Sequence, residues 1–315
     1  MATSTTPEVV SPVDALRDAW AHTRRELFPV RFEKWLALGF LAFLDQCGRS
    51  FRGGGAPGGG GHGSAGGVGH GGDLGELTAF AQRAAEWLSL HAALVTAGVL
   101  AGVLAIAVVA AVVLWVNARG VFVYLDDVVS GRADVARPWR QHATAASSYF
   151  GWSLGITLAG IFVVLALAGT GVALALAVVT GRVAGSSAWL TGAAAVPVLL
   201  LLALALPCLA LASLALRDFV APLQLATGLA CGEAARVLES LVLANPGAFV
   251  LYLLLKVVLV VASGIAIALL GCLTCCIAFL PVVMQVVFQP LFFVERAFPV
   301  LLLRQLGYDV RARLV

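Results

Sequence analysis

Charge is scarce in this chain: only 12% of its 315 residues are Asp, Glu, Lys or Arg, about half the share of an ordinary soluble domain. Lysine is nearly missing, with Lys34 and Lys256 set against eighteen arginines. The net charge of +3 is small and unclustered, so nucleic acid is excluded as a partner. Histidine is equally sparse, and none of the five follows His142. A metal site or a Ser-His-acid triad in the second half would lack its commonest ligand or base. The first 34 residues hold no basic stretch followed by a long apolar run, which argues against a cleavable secretory signal. Six cysteines, mostly in or beside apolar runs, behave as small hydrophobes and outline no disulfide framework.

Apolar side chain, by contrast, makes up 61% of the chain. One or two cores cannot hide so much, because surface scales too slowly with mass. Crossing about 30 Å of hydrocarbon takes roughly 20 apolar residues, and several runs exceed that. The expectation is an all-α integral membrane protein with about six spans, near 32–48, 94–117, 149–179, 189–216, 247–271 and 277–294. Pro197 and Pro207 kink the fourth, and Gly271 to Thr274 forms the turn between the last two. Residues 1–10 read as a disordered N-terminus and 11–315 as a single membrane domain. The Gly-rich loop 53–72, with His62 and His70, reads as a solvated linker.

Basic residues set the orientation. Fifteen fall in the N-terminus, the segments 119–148 and 217–246, and the C-terminus; four lie on the other side. Both termini are therefore expected in the cytoplasm of a multi-pass protein. The preference for arginine with alanine, glycine, valine and leucine suggests a GC-rich bacterial genome, and so a bacterial inner membrane.

One unit recurs three times: a short amphipathic helix, two spans, and an arginine at the exit. The first helix opens with Ser11 as N-cap, Pro12 at its first position and Asp14 as capping acid. Val13, Leu16, Trp20 and Leu27 form its apolar face. Gly131 to Ala146 and Gly232 to Leu243 precede later spans in the same way, the latter with Ala234, Val237, Leu238 and Leu241 on one face. A second capping box, Asp73 with Glu76, precedes an amphipathic turn from Leu77 to Leu88. The exits read Arg119-Gly120-Val121-Phe122, Arg217-Asp218-Phe219-Val220 and Arg296-Ala297-Phe298-Pro299. An arginine at a helix C-terminus is favoured by the dipole and by lipid phosphates. Arg24, Arg25, Arg119, Arg137, Arg140, Arg217 and Arg296 are thus candidate lipid-phosphate contacts.

Catalytic patterns are thin. Gly151-Trp152-Ser153-Leu154-Gly155 matches G-x-S-x-G, but it opens a membrane helix instead of a strand-turn-helix elbow. Cys272, Cys275 and Cys276 could chelate a metal only with further ligands, and a tight interhelical turn explains them more simply. No catalytic residue, cofactor or metal is expected. Lys256 stands out as a basic residue deep in a span, where it costs about 2.5–3.5 kcal/mol to insert. It either couples to a substrate or proton, with Asp45 or Glu295 as partner, or snorkels to the headgroups. Gln285 and Gln289 read as interhelical hydrogen-bond donors.

Arg31 to Phe40 followed by a glycine tract, Arg217 to Pro222, and Phe249 to Lys256 together resemble an uncharacterised bacterial membrane family, over nearly the whole chain from Ser11. More distantly, the layout is similar to the membrane domain fused to some glycerophosphodiester phosphodiesterases, without the catalytic domain. The resemblance implies an inner-membrane location and carries over no activity. The expected function is a non-enzymatic scaffold or accessory for a lipid or another membrane protein. The alternative is a small transporter or channel using Lys256.

Overall fold

The computed structural model describes residues 10–47, 87, 90–179, 186–273 and 283–314. The glycine tract with His62 and His70, the Asp73–Glu76 box and the turn after it, Cys275 and Cys276, and most of the N-terminal ten residues lie outside them. Among the described residues every regular element is a helix. Contacts divide the chain into two units, residues 1–58 with 114–315, and residues 59–113.

The larger unit begins with α1 (Pro12–Leu27) and α2 (Phe32–Cys47), then takes α3 (Ala92–Ser130) from Leu114 onward. It continues through α4 (Ala136–Gln141), α5 (Ala143–Val179) and α6 (Ser186–Ala215). A π-helical turn at Leu216–Val220 leads without a break into α7 (Ala221–Thr227). After α8 (Cys231–Ala244) and α9 (Pro246–Leu273) come α10 (Val283–Val287), α11 (Gln289–Gln305) and α12 (Arg311–Leu314). The smaller unit contributes Ala92 to Val113 of α3. That stretch is apolar and outward-facing, with Leu94, Val99, Leu104 and Ile106 all exposed. A helix greasy on its exposed faces belongs in lipid.

Four helical segments are long and apolar enough to cross a membrane: Ala92–Ser130, Ala143–Leu174, Val196–Thr227 and Pro246–Leu273. The 16 residues of α2 reach only about 24 Å at 1.5 Å each, short of the hydrocarbon thickness. The sixth expected span is represented among the described residues only from Val283 onward.

The arginine exits differ from expectation. None of the three stands at a helix C-terminus. Arg119 lies inside α3, which runs on to Ser130; Arg217 lies in the π turn, and Arg296 in the body of α11. The positive-inside pattern marks a level in the sequence, but helices here continue past that level into a packed layer.

The start of α1 forms as its sequence dictates. Ser11 Oγ accepts from the Asp14 amide at 3.3 Å, and Pro12 occupies the first turn. Its buried stripe is different: Pro12, Ala15, Ala19, Thr23 and Leu27 face inward, while Val13 and Trp20 are about half exposed. Small residues let α1 lie close against α11, its main neighbour, and a bulky face could not. Gly120 has a similar role between α2 and α3. A Cβ there would stand 2.8 Å from Leu44 Cβ, so only glycine permits this approach. In α8, Ala234 and Leu238 are buried and Val237 and Leu241 pack against the same core.

Candidate functional site

Three carboxylates and three cations meet in the interior of the larger unit. Asp45 comes from α2, Arg217 and Asp218 from the π turn, Lys256 from α9, and Glu295 and Arg296 from α11. All six are buried. The π turn explains how two adjacent charges can both point inward. A widened i to i+5 turn is often a functional irregularity in a helix, and here it buries all five residues from Leu216 to Val220.

Arg217 is the hub. Its guanidinium forks onto the Asp45 carboxylate, while Nη1 donates to Glu295 Oε1 at 3.1 Å and reaches Asp218 Oδ1 at 3.5 Å. Lys256 Nζ lies 2.8 Å from Asp218 Oδ2 and 3.3 Å from Glu295 Oε1. Tyr252, one helical turn before Lys256, donates its hydroxyl to Asp218 Oδ2 at 2.8 Å. Arg296 donates to the backbone carbonyls of Arg217 at 2.7 Å and Val121 at 3.3 Å. It also stands 3.9 Å from Asp45 and from Asp218. Formal charges cancel within the cluster. That cancellation matters, because removing an unpaired charge from water costs several kcal/mol.

A polar collar surrounds it. Asn117 of α3 donates to the carbonyls of Leu44 and Asp45, at 2.9 and 2.6 Å. Gln289 donates to the Tyr124 hydroxyl at 3.1 Å, joining α11 to α3, and Gln285 of α10 is also buried. Through these bonds α2, α3, the π turn, α9 and α11 are tied at one point.

The expected site residues are distributed unevenly. Lys256 is buried and paired with Asp218 and Glu295, so it does not snorkel to the headgroups. Asp45, the other partner expected for it, is engaged by Arg217 instead. Arg217 and Arg296 are corrections to the lipid-contact set: both are buried in the cluster, where lipid phosphate cannot reach them. Arg119 is half-buried, donating to the Trp139 carbonyl at 2.9 Å with its guanidinium beside the Trp115 and Trp139 rings. Arg24, Arg25 and Arg140 are exposed. Arg137 is exposed yet bridges Asp126 at 3.2 Å, and Asp126 also takes His142 at 2.7 Å. Ser153 is buried in α5 with no hydrogen bond to its Oγ. Cys272 is a free thiol, and among the described residues no group of three His, Cys, Asp or Glu side chains could hold a metal.

Sequence reasoning missed Asp218 and Tyr252. A signal existed: Phe249, Tyr252 and Lys256 follow i, i+3, i+7 spacing and share the buried face of α9. The adjacent Arg217-Asp218 pair at the end of an apolar run was the other.

Among the described residues, cavities lie outside the cluster. One of about 170 Å³ is bordered by His22 and Arg25 of α1, with Arg304 and Arg311. A second, of about 400 Å³, lies among the starts of α5 and α8, the end of α7, and α12. No member of the charge cluster lines either.

This chain belongs to a family of unknown function, DUF7544, and the match covers residues 10–308. No curated protein and no solved structure matches it.

Proposed function

We propose that the chain is a non-enzymatic, multi-pass inner-membrane protein that serves as a scaffold or accessory to a lipid or to another membrane protein. The observation that carries this reading is the outward stripe of α1. Val13, Arg17, Trp20 and Arg24 recur at i, i+4, i+7 and i+11, and all four are exposed. Tryptophan favours the headgroup level and arginine the lipid phosphates, so α1 suits the membrane surface while its alanine face holds α11. Arg25 and Arg140, also exposed, extend the basic surface.

In this reading the chain crosses a bacterial inner membrane six times, with both termini in the cytoplasm. Residues 32–48, as a thin or tilted span, and residues 277–294 complete the four long spans, and three parallel helix-span-span units make up the bundle. Parallel repeats in membrane proteins relate their halves by an axis along the bilayer normal.

The test is lipid retention by the full-length chain purified in mild detergent, read by native mass spectrometry. Replacing Arg24, Arg25, Arg137 and Arg140 with alanine should cut retained phosphatidylglycerol several-fold and leave phosphatidylcholine unchanged. Equal retention of both lipids before and after substitution would remove the basis of the proposal.

A transporter using Lys256 is the second reading, and the buried intramembrane charges favour it. Against it, every acid in the cluster faces a basic partner within 4 Å. Solute flux into proteoliposomes, lost in a folded Lys256→Ala variant, would promote this alternative.

A further inference from the structure

Near its end α3 carries two adjacent acids, Asp126 and Asp127, and both are fully buried. Their surroundings differ. Asp126 is compensated: His142 Nε2 lies 2.7 Å from one carboxylate oxygen and Arg137 Nη2 lies 3.2 Å from the other. Asp127 is not compensated in this way. Its Oδ1 accepts from the Asp134 amide at 3.3 Å, and its Oδ2 is enclosed with no hydrogen-bond partner. An ionised carboxylate shut off from water and left unpaired costs far more than a neutral carboxyl in the same place, so Asp127 keeps its proton. Burial is the main cause and pushes the carboxyl up to about 8; the Asp134 amide and the Arg137 charge oppose it, and the Asp126 and Asp134 charges add to it. The apolar run expected to span ends at Asn117, about 15 Å along the helix before Asp127. This carboxyl therefore belongs to the packed layer beyond the span.

Gly131, at φ +69°, turns the chain back at the end of α3, with its amide on the Asp127 carbonyl at 2.9 Å. The turn sets Asp134 and α4 against the two acids. Asp134 Oδ1 accepts from the Ala136 and Arg137 amides at 3.1 and 3.5 Å, and its other oxygen lies 3.7 Å from Arg137 Nε. The Arg137 guanidinium is thus shared between Asp126 and Asp134, yet it stays exposed. Other charged groups at this end of α3 are engaged elsewhere. From α1, His22 meets the Val128 carbonyl at 2.8 Å, and Glu26, lying against Gly131, pairs with Lys34 at 3.4 Å. Arg132 donates to the Leu314 carbonyl at 3.2 Å. Asp18, Arg25, Arg304, Asp309 and Arg311 border the cavity of about 170 Å³ beside Val128 and Val129. Arg137 is the cation placed to answer a change of charge at Asp127.

We propose that Asp127 is a proton switch controlling the basic surface of α4. With the proton on, Arg137 divides itself between two carboxylates and remains open to lipid phosphate. With the proton off, three carboxylates surround Arg137. The added charge draws the guanidinium inward and lowers the positive potential that Arg137 and Arg140 present. The one bond that breaks is the carboxyl O–H, and its proton passes to water. The switch rests on the lipid-contact reading above, because that surface is what it regulates.

The experiment uses the full-length chain in mild detergent at about pH 7 and about pH 9, on either side of this titration. Infrared difference spectra should lose a protonated-carboxyl band at the higher pH, and Asp127→Asn should lack that change. Phosphatidylglycerol retained by the chain, read by native mass spectrometry, should fall about fivefold at the higher pH, the worth of one arginine near anionic lipid. In Asp127→Asn, where the amide stands in for the neutral carboxyl, retention should stay level. Arg137→Gln alters an exposed position and removes the responding cation. It should keep the infrared band and retain one reduced amount of lipid at both pH values. A missing band, level retention in the wild type, or pH-dependent retention surviving in either variant would each overturn the switch. The two readings fail separately. Selective retention of phosphatidylglycerol without the band removes the switch and spares the surface. A titrating band with no lipid selectivity at either pH removes the surface, and with it the output of the switch.

Discussion

The ammonium of Lys256 lies 2.8 Å from the carboxylate of Asp218, and both side chains are shut off from solvent. Each has a second partner of opposite charge, Glu295 for Lys256 at 3.3 Å and Arg217 for Asp218 at 3.5 Å. Lys256 sits ten residues into α9, about 15 Å along it, at a depth where lone charges are expelled from lipid-facing helices.

Breaking that pair should unfold the bundle well before it alters anything else. Lys256→Met and Asp218→Asn should each cost about 3–5 kcal/mol, the range for stranding a buried partner. The double variant should cost less than the two combined, because it strands no charge. Denaturant titration in micelles, followed by tryptophan fluorescence, reads all three. Single variants with the wild-type midpoint would show that the cluster does not hold the bundle together.

At Gly120 the prediction is steric. Gly120→Val should force α2 away from α3 at Leu44 and cost about 1–3 kcal/mol, typical of overpacking. Gly102, with nothing within 4 Å of an added Cβ, supplies the comparison. Gly102→Ala should be neutral or slightly stabilising, as expected for a helix interior. Thermal unfolding of the two variants side by side decides it.

Cys231 supplies a chemical probe. Burial pushes its thiol up to about 12, so at pH 8 almost none is the reactive thiolate. The folded chain should therefore spare Cys231 from maleimide, and denaturant should release it. The sign of the pH dependence follows. Between pH 9 and about 12 the unfolded thiol ionises while the folded one keeps its proton, so stability falls as pH rises through that window. Cys231→Ala should flatten that part of the melting-temperature profile.

Topology can be read by labelling. On a cysteine-free background, cysteines placed at residues 60 and 140 should react from opposite sides of the membrane, the latter only after the inner face is opened. Reaction of both from one side would undo the six-span arrangement.

Much of the architecture was legible in advance because hydrophobicity is a local property. Residues 94–117 and 247–271 announce themselves by length and composition alone, although the first helix runs on to Ser130, and Ser11-Pro12-Val13-Asp14 writes its own helix start. The site was less legible. Lys256 was conspicuous as a lone charge, yet its partner Asp218 is 38 residues away in sequence and looked like half of an exit motif. Arg217 and Arg296 misled for the same reason. A charge near the end of an apolar run looks alike whether it meets lipid phosphate or a carboxylate from another helix.

Composition and periodicity alone settled that these segments are helices, that several are long and greasy enough for a bilayer, and where α1 begins, since each depends on neighbours within a turn or two. Which face of α1 is hidden and which charges are paired were decided only when distant segments came together. The physical reason is range: backbone hydrogen bonds and apolar patterning act along the chain, whereas burial and charge compensation depend on what the rest of the chain brings alongside.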